Sequence, residues 1–132
     1  MMLSSVIGNE EEVARFVLSS RWIRKVDLTI KPDAFMPHPY TELSVTRHRG
    51  ISTNQIWKHG KVVATQTNKT LYGRVDVRVS NVRKHDIDVV ARPIPGENPN
   101  HACLVDWPKD KSEQKSKAQE IVAKAHYLAL EE

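Results

Sequence analysis

A single cysteine, Cys103, is the whole thiol content of this 132-residue chain. No intrachain disulfide can form, and the expected compartment is a reducing cytoplasm. Long apolar runs are missing too. The longest, such as residues 89–91, fall far short of the ~20 residues that cross a bilayer, so no membrane segment is expected. The opening Met-Met-Leu-Ser-Ser-Val-Ile-Gly has no basic flank and meets Glu10-Glu11-Glu12 before an apolar stretch develops, which argues against a secretory signal.

Glycine is equally sparse. The five glycines are scattered, so neither a phosphate-cradling loop nor a dinucleotide fingerprint can be built, and no Gly-x-Ser-x-Gly nucleophile turn occurs. Cys103 sits in an apolar stretch and reads as a small core residue, not an activated thiolate. The six histidines include no His-x-x-x-His pair. The nearest approach to a ligand cluster is His85-Asp86 with Asp88, and adjacent residues on a strand point to opposite faces. No metal site and no cofactor are expected, and a chain of this length buries roughly two thirds of its unfolded surface, enough to fold without either.

What is present alternates between helical and extended patterns. Asn9 followed by three glutamates resembles an N-cap and acidic first turn, with Val13, Phe16 and Val17 at helical spacing, which predicts a helix over residues 10–20. Residues 22–40 carry Pro32, Pro37 and Pro39 and read as an irregular arm whose Phe35-Met36 pair tucks into the core. Residues 42–47 alternate as a strand. Ser52 or Thr53 then caps a second helix bearing Ile56, Trp57 and Val63, weakened by Gly60. Residues 71–79 are the clearest strand, followed by a helical turn over 80–85 and a strand over 87–91. A turn-rich loop over 93–100 leads into a strand over 101–105. Asp110 and Glu113 form a capping box ahead of an apolar stripe of Ala118, Ile121, Val122, Ala125 and Leu128. No repeat or linker divides the chain, so the expectation is one α+β domain over residues 1–132. It has an antiparallel or mixed sheet of about four strands packed by two to three helices.

Charge is segregated along the chain. The total is +4, yet residues 21–84 hold thirteen bases (Arg21, Arg24, Lys25, Lys31, Arg47, Arg49, Lys58, Lys61, Lys69, Arg74, Arg78, Arg83, Lys84) against Asp27, Asp33, Glu42 and Asp76. That segment is +9 and the remainder −5. An anionic partner is expected, nucleic acid or a nucleotide-like anion ahead of lipid, because no lysine-rich amphipathic helix with an aromatic face is present. Aromatic support is thin. Trp22, Tyr40, Trp57 and Tyr72 lie in the segment, without the aromatic sheet motif of an RNA-recognition domain.

Three constellations could carry chemistry. In Leu43-Ser44-Val45-Thr46-Arg47-His48-Arg49, Arg47 shares its parity with the apolar residues, so its charge needs a phosphate or a carboxylate such as that of Asp76. On the strand over 71–79, Tyr72, Arg74, Asp76 and Arg78 form a row that could meet a phosphodiester or pair internally on a solvated face. In the third, His101 emerges from the proline-rich loop as a candidate acid–base group or a cap on loop carbonyls. If Lys31, Arg47 and His101 converge, His101 would move protons while the two cations stabilise charge developing on a phosphate. Arg74, Asp76, Arg78, Arg49 and His48 are the candidate ligand-binding residues.

Residues 30–37 (Ile-Lys-Pro-Asp-Ala-Phe-Met-Pro), 42–47 (Glu-Leu-Ser-Val-Thr-Arg), His101-Ala102 and Trp107-Pro108 resemble the pattern of a family of small uncharacterised bacterial proteins. The resemblance implies a bacterial cytosolic origin and carries no activity with it. Three functions follow from the residues. The first is a binding or processing module for a phosphate-rich ligand, RNA or DNA above all. The second is a metal-independent nuclease or phosphotransfer enzyme. The third is an interaction partner of a larger complex, docking through the C-terminal helix or the proline-rich loop.

Overall fold

The computed structural model describes residues 4–131. Its first strand stands where the sequence predicts a helix. The acidic stretch closes a turn, with Glu11 N–H donating to Gly8 O at 3.2 Å, and β1 (Glu12–Val17) leaves that turn as an interior strand. Val13 and Val17 pack into one core cluster, Ala14 and Phe16 into the other. A strand covered on both faces loses its alternation and reads as a nearly continuous apolar run, here with a chance helical spacing.

Five further strands complete one antiparallel sheet: β2 (Leu43–Arg47), β3 (Gly73–Arg78), β4 (Asp88–Ala91), β5 (His101–Val105) and β6 (His126–Ala129), in the order β4-β5-β2-β1-β3-β6. The α+β class holds, with six strands instead of about four. β1 and β6 are the additions. The C-terminal helix, α3 (Lys111–Ala123), stops short of Ala125 and Leu128, and the chain turns back to hydrogen-bond along β3. The backbone groups of an otherwise open edge outweigh the helical pattern there.

Two other helices flank the strands. The first, α1 (Thr53–Gln66), opens on a reciprocal capping box in which Ser52 and Gln55 satisfy each other's backbone N–H groups. A single turn and a half, α2 (Val79–Arg83), follows β3. Period two then divides the sheet into unlike faces. One carries Val13, Val17, Val45, Val75, Val77, Ala102 and Leu104. It is sealed by Ala118 and Ile121 of α3 and by the 3-10 turn Pro32–Phe35, whose Phe35 is fully buried. Burying that ring contributes about 2 to 3 kcal/mol. The apolar stripe of α3 is thus spent inside the fold, and Cys103 is buried as a free thiol. Among the described residues no helix is long and apolar enough to cross a membrane.

The second face lies under α1. Ile56 and Ala64 pack on Ala14, Phe16 and Leu71, and Gly60 lets the helix approach the sheet. A Cβ there would stand 2.8 Å from the Phe16 ring. This cover changes the row on β3: Arg74 and Asp76 are buried, while Tyr72 and Arg78 remain exposed.

Candidate acid–base site on the helix-covered face

Three strands bring the site together at one end of the sheet. Glu12 opens β1 opposite Arg78 near the end of β3, and β2 runs out beside them, with His48 N–H donating to Glu12 O at 3.0 Å. Alternation sends Glu12, His48 and Asp76 to the face beneath α1, and Glu11 and Arg47 to the opposite face.

At its centre, His48 Nε2 lies 3.0 Å from Asp76 Oδ1. The same carboxylate oxygen accepts from Arg74 Nε at 3.0 Å, and the Arg74 guanidinium stacks 4.6 Å from the Trp57 ring centre on α1. Asp76 is therefore held from below by a cation and meets the imidazole above. Burial alone would raise the Asp76 pKa, but the hydrogen bonds and charges of His48 and Arg74 outweigh it and hold the carboxyl below its ordinary range. Among the described residues the buried Arg74 Nη1 has no hydrogen-bond partner, so both of its N–H donors stay unspent.

The other ring nitrogen, Nδ1, faces Glu12 Oε2 at 4.0 Å, too far for a direct hydrogen bond, so Nδ1 is not taken up by that carboxylate. The His48 side chain is about one-fifth exposed and that of Glu12 more than two-fifths. A carboxylate accepts only, so a neutral His48 donates from Nε2 to Asp76 and leaves Nδ1 as an acceptor. A base oriented by a fixed carboxylate is an arrangement suited to proton transfer. Glu12, His48 and Asp76 also place one ligating atom each within 4.8 Å of one another and are the residues that could hold a divalent ion.

Among the candidates from sequence, Arg47 is buried on the other face. Its Nε and Nη2 grip Glu11 at 3.0 and 2.9 Å, and Nη1 donates to Ser4 O at 2.6 Å. Its carboxylate partner is Glu11, not Asp76. Burial raises the Glu11 pKa, but the Arg47 hydrogen bonds, the Gly8 N–H and the nearby Arg47 and Arg49 charges bring it below the ordinary value. Arg49 Nη1 approaches Glu11 Oε2 at 3.6 Å and stays half exposed. Lys31 stands just before the 3-10 turn that packs on α3, and its side chain makes no capping hydrogen bond there. His101 pairs across the strands with Thr46, so its side chain and that of Arg47 leave the sheet on opposite faces. Its Nδ1 donates to Arg92 O at 2.8 Å. Lys31, Arg47 and His101 therefore do not gather into one site. His48, Asp76 and Arg74 do gather, with Arg78 on the same face.

Two participants escaped sequence reasoning. The sequence places Glu12 in a helical first turn and Trp57 at a helix core position. Only the period-two set Glu12, Ala14 and Phe16 hints that Glu12 belongs to a strand face. Compared with protein-family models, with curated proteins and with solved structures, the chain matches none.

Proposed function

We propose that this chain binds and processes a phosphate-rich ligand, RNA or DNA above all, at the Glu12–His48–Asp76 end of the sheet. The observation that carries the reading is the chain of contacts from Arg74 through Asp76 to His48. It fixes an imidazole beside a partly exposed carboxylate, with Arg78 exposed on the same face. On this face Arg74 and Arg78 stand with Glu12 and Asp76, two guanidinium groups against two carboxylates, and the half-exposed Arg49 follows His48 at the strand end. Arg78 and Arg49 are the exposed cations available to phosphate oxygens. In this scheme His48 Nδ1 takes the proton of an attacking hydroxyl and returns it to the leaving oxygen, while Asp76 holds the ring in that tautomer. The chemistry then needs no metal, in contrast to the alternative use of the same three side chains as ligands.

Fluorescence anisotropy with a labelled single-stranded RNA, in steps of salt, tests binding. Affinity should fall steeply with salt, and Arg78→Gln should lower the logarithmic slope by about one. Cleavage of the same RNA in chelator tests the chemistry, with His48→Gln expected to bind but not cleave. A salt-independent affinity would remove nucleic acid from the reading. Cleavage that survives His48→Gln would remove His48 from the mechanism.

A further inference from the structure

A second feature of the α1-covered face does not involve His48. Between the C-terminal half of α1 and strands β1, β2 and β5 lies a cleft of about 150 Å³, roofed by the loop over residues 92–100. Phe16, Val62, Val63 and Ile94 make its walls apolar, and His59 and His101 bring imidazoles to it. The volume matches that of an apolar cavity known to accept a single benzene ring, roughly 150 Å³.

The cleft is held in shape from its rim. Asn98 is buried and donates to Thr46 Oγ1 at 3.1 Å, while Ile94 and Asn98 form a bridge that folds the loop on itself. Gln66 Nε2, at the end of α1, hydrogen-bonds Glu97 Oε1 on the loop, tying helix to roof. These contacts keep the walls apart without a ligand, which lowers the ordering cost of binding.

One polar requirement is already set. A backbone carbonyl only accepts, so the Arg92 O contact at 2.8 Å places the His101 proton on Nδ1. The neutral ring is left with Nε2 as an acceptor. Burial lowers the His59 pKa from its ordinary value, and the apolar walls likewise disfavour a charged ligand.

We propose that this cleft is a binding site for a neutral, phenol-sized aromatic molecule whose hydroxyl donates to His101 Nε2. The apolar walls take the ring, and His101 selects molecules that carry a donor.

Titrating the ¹⁵N-labelled full chain with phenol, and separately with anisole, tests the site by ¹H–¹⁵N correlation spectra. Phenol should give saturable shifts concentrated at Phe16, Val63, Ile94 and His101. Anisole, which has no donor, should bind roughly tenfold more weakly, the worth of one good hydrogen bond. His101→Ala should abolish that preference, and Val63→Phe should fill the cleft and remove binding of both probes. Ile94→Trp, at the exposed roof, blocks the same space should Val63→Phe fail to fold. His48→Gln should leave the phenol titration unchanged, which separates this site from the acid–base centre. Shifts that never saturate, equal affinities for phenol and anisole, or a preference that persists in His101→Ala would each overturn the assignment.

Discussion

Two buried arginines, one on each face of the same sheet end, meet carboxylates in different ways. Arg47 and Glu11 close on each other through two parallel hydrogen bonds, and Ser4 O takes a third donor. Both side chains are at least 95% buried, so nothing outside the protein reaches them. Arg74 Nε reaches both Asp76 oxygens, at 3.0 and 3.3 Å, His48, whose ring reaches the surface, meets the nearer one, and among the described residues the buried Arg74 Nη1 has no partner. The first pair satisfies its own charges and serves the fold. The second uses a cation to fix a carboxylate, and the carboxylate to orient a titratable ring. Residue type is the same in both, and the difference is the third partner.

Removing one member of the closed pair should give the largest effect. Glu11→Gln leaves the Arg47 charge uncompensated in the interior and should cost about 3 to 5 kcal/mol in urea unfolding, a large share of an ordinary domain's stability. A loss below about 1 kcal/mol would mean that the Arg47 site is wetter than its burial indicates.

Acidification should separate the faces next. Glu11 and Asp76 both have folded-state pKa values below the ordinary ones, so the unfolded chain takes up protons first as pH falls. Their stabilisation is complete above about pH 5 and is lost as pH drops through the folded values. Urea midpoints measured from pH 7 to 3 should fall accordingly, and Glu11→Gln should flatten part of that fall. A midpoint independent of pH in the wild-type chain would contradict both assignments.

The smallest stability effect should come from the open site. Asp76→Asn keeps an acceptor near Arg74 but loses its charge, and should cost about 2 kcal/mol. His48→Gln, at a partly exposed position, should stay within about 1 kcal/mol while losing turnover of the labelled RNA. If His48→Gln were as destabilising as Glu11→Gln, the two sites would be alike and the comparison would fail.

Much of the fold was legible because local chemistry acted alone. Ser52 and Asp110 cap helices where the sequence places caps. The strand over 101–105 has the bounds its apolar run suggests. Phe35 and Pro37 are buried, as an arm docking on the core requires. β1 and β6 were not legible, since one loses its alternation by being covered twice and the other gains its partner from β3, some fifty residues earlier. In the site, His48 and Asp76 were named from separate strands, but their juxtaposition depends on β1 lying between β2 and β3. A strand order with non-consecutive neighbours leaves no trace in residue spacing.

By itself the sequence determined the kinds of chemistry available: one thiol, no phosphate loop, a basic stretch over 21–84, and alternating strands that give each side chain a face. Which arginine was silenced by a carboxylate and which was left to orient a histidine was decided only by tertiary structure. Parity along a strand is local, whereas the partner across the sheet arrives from a distant part of the chain.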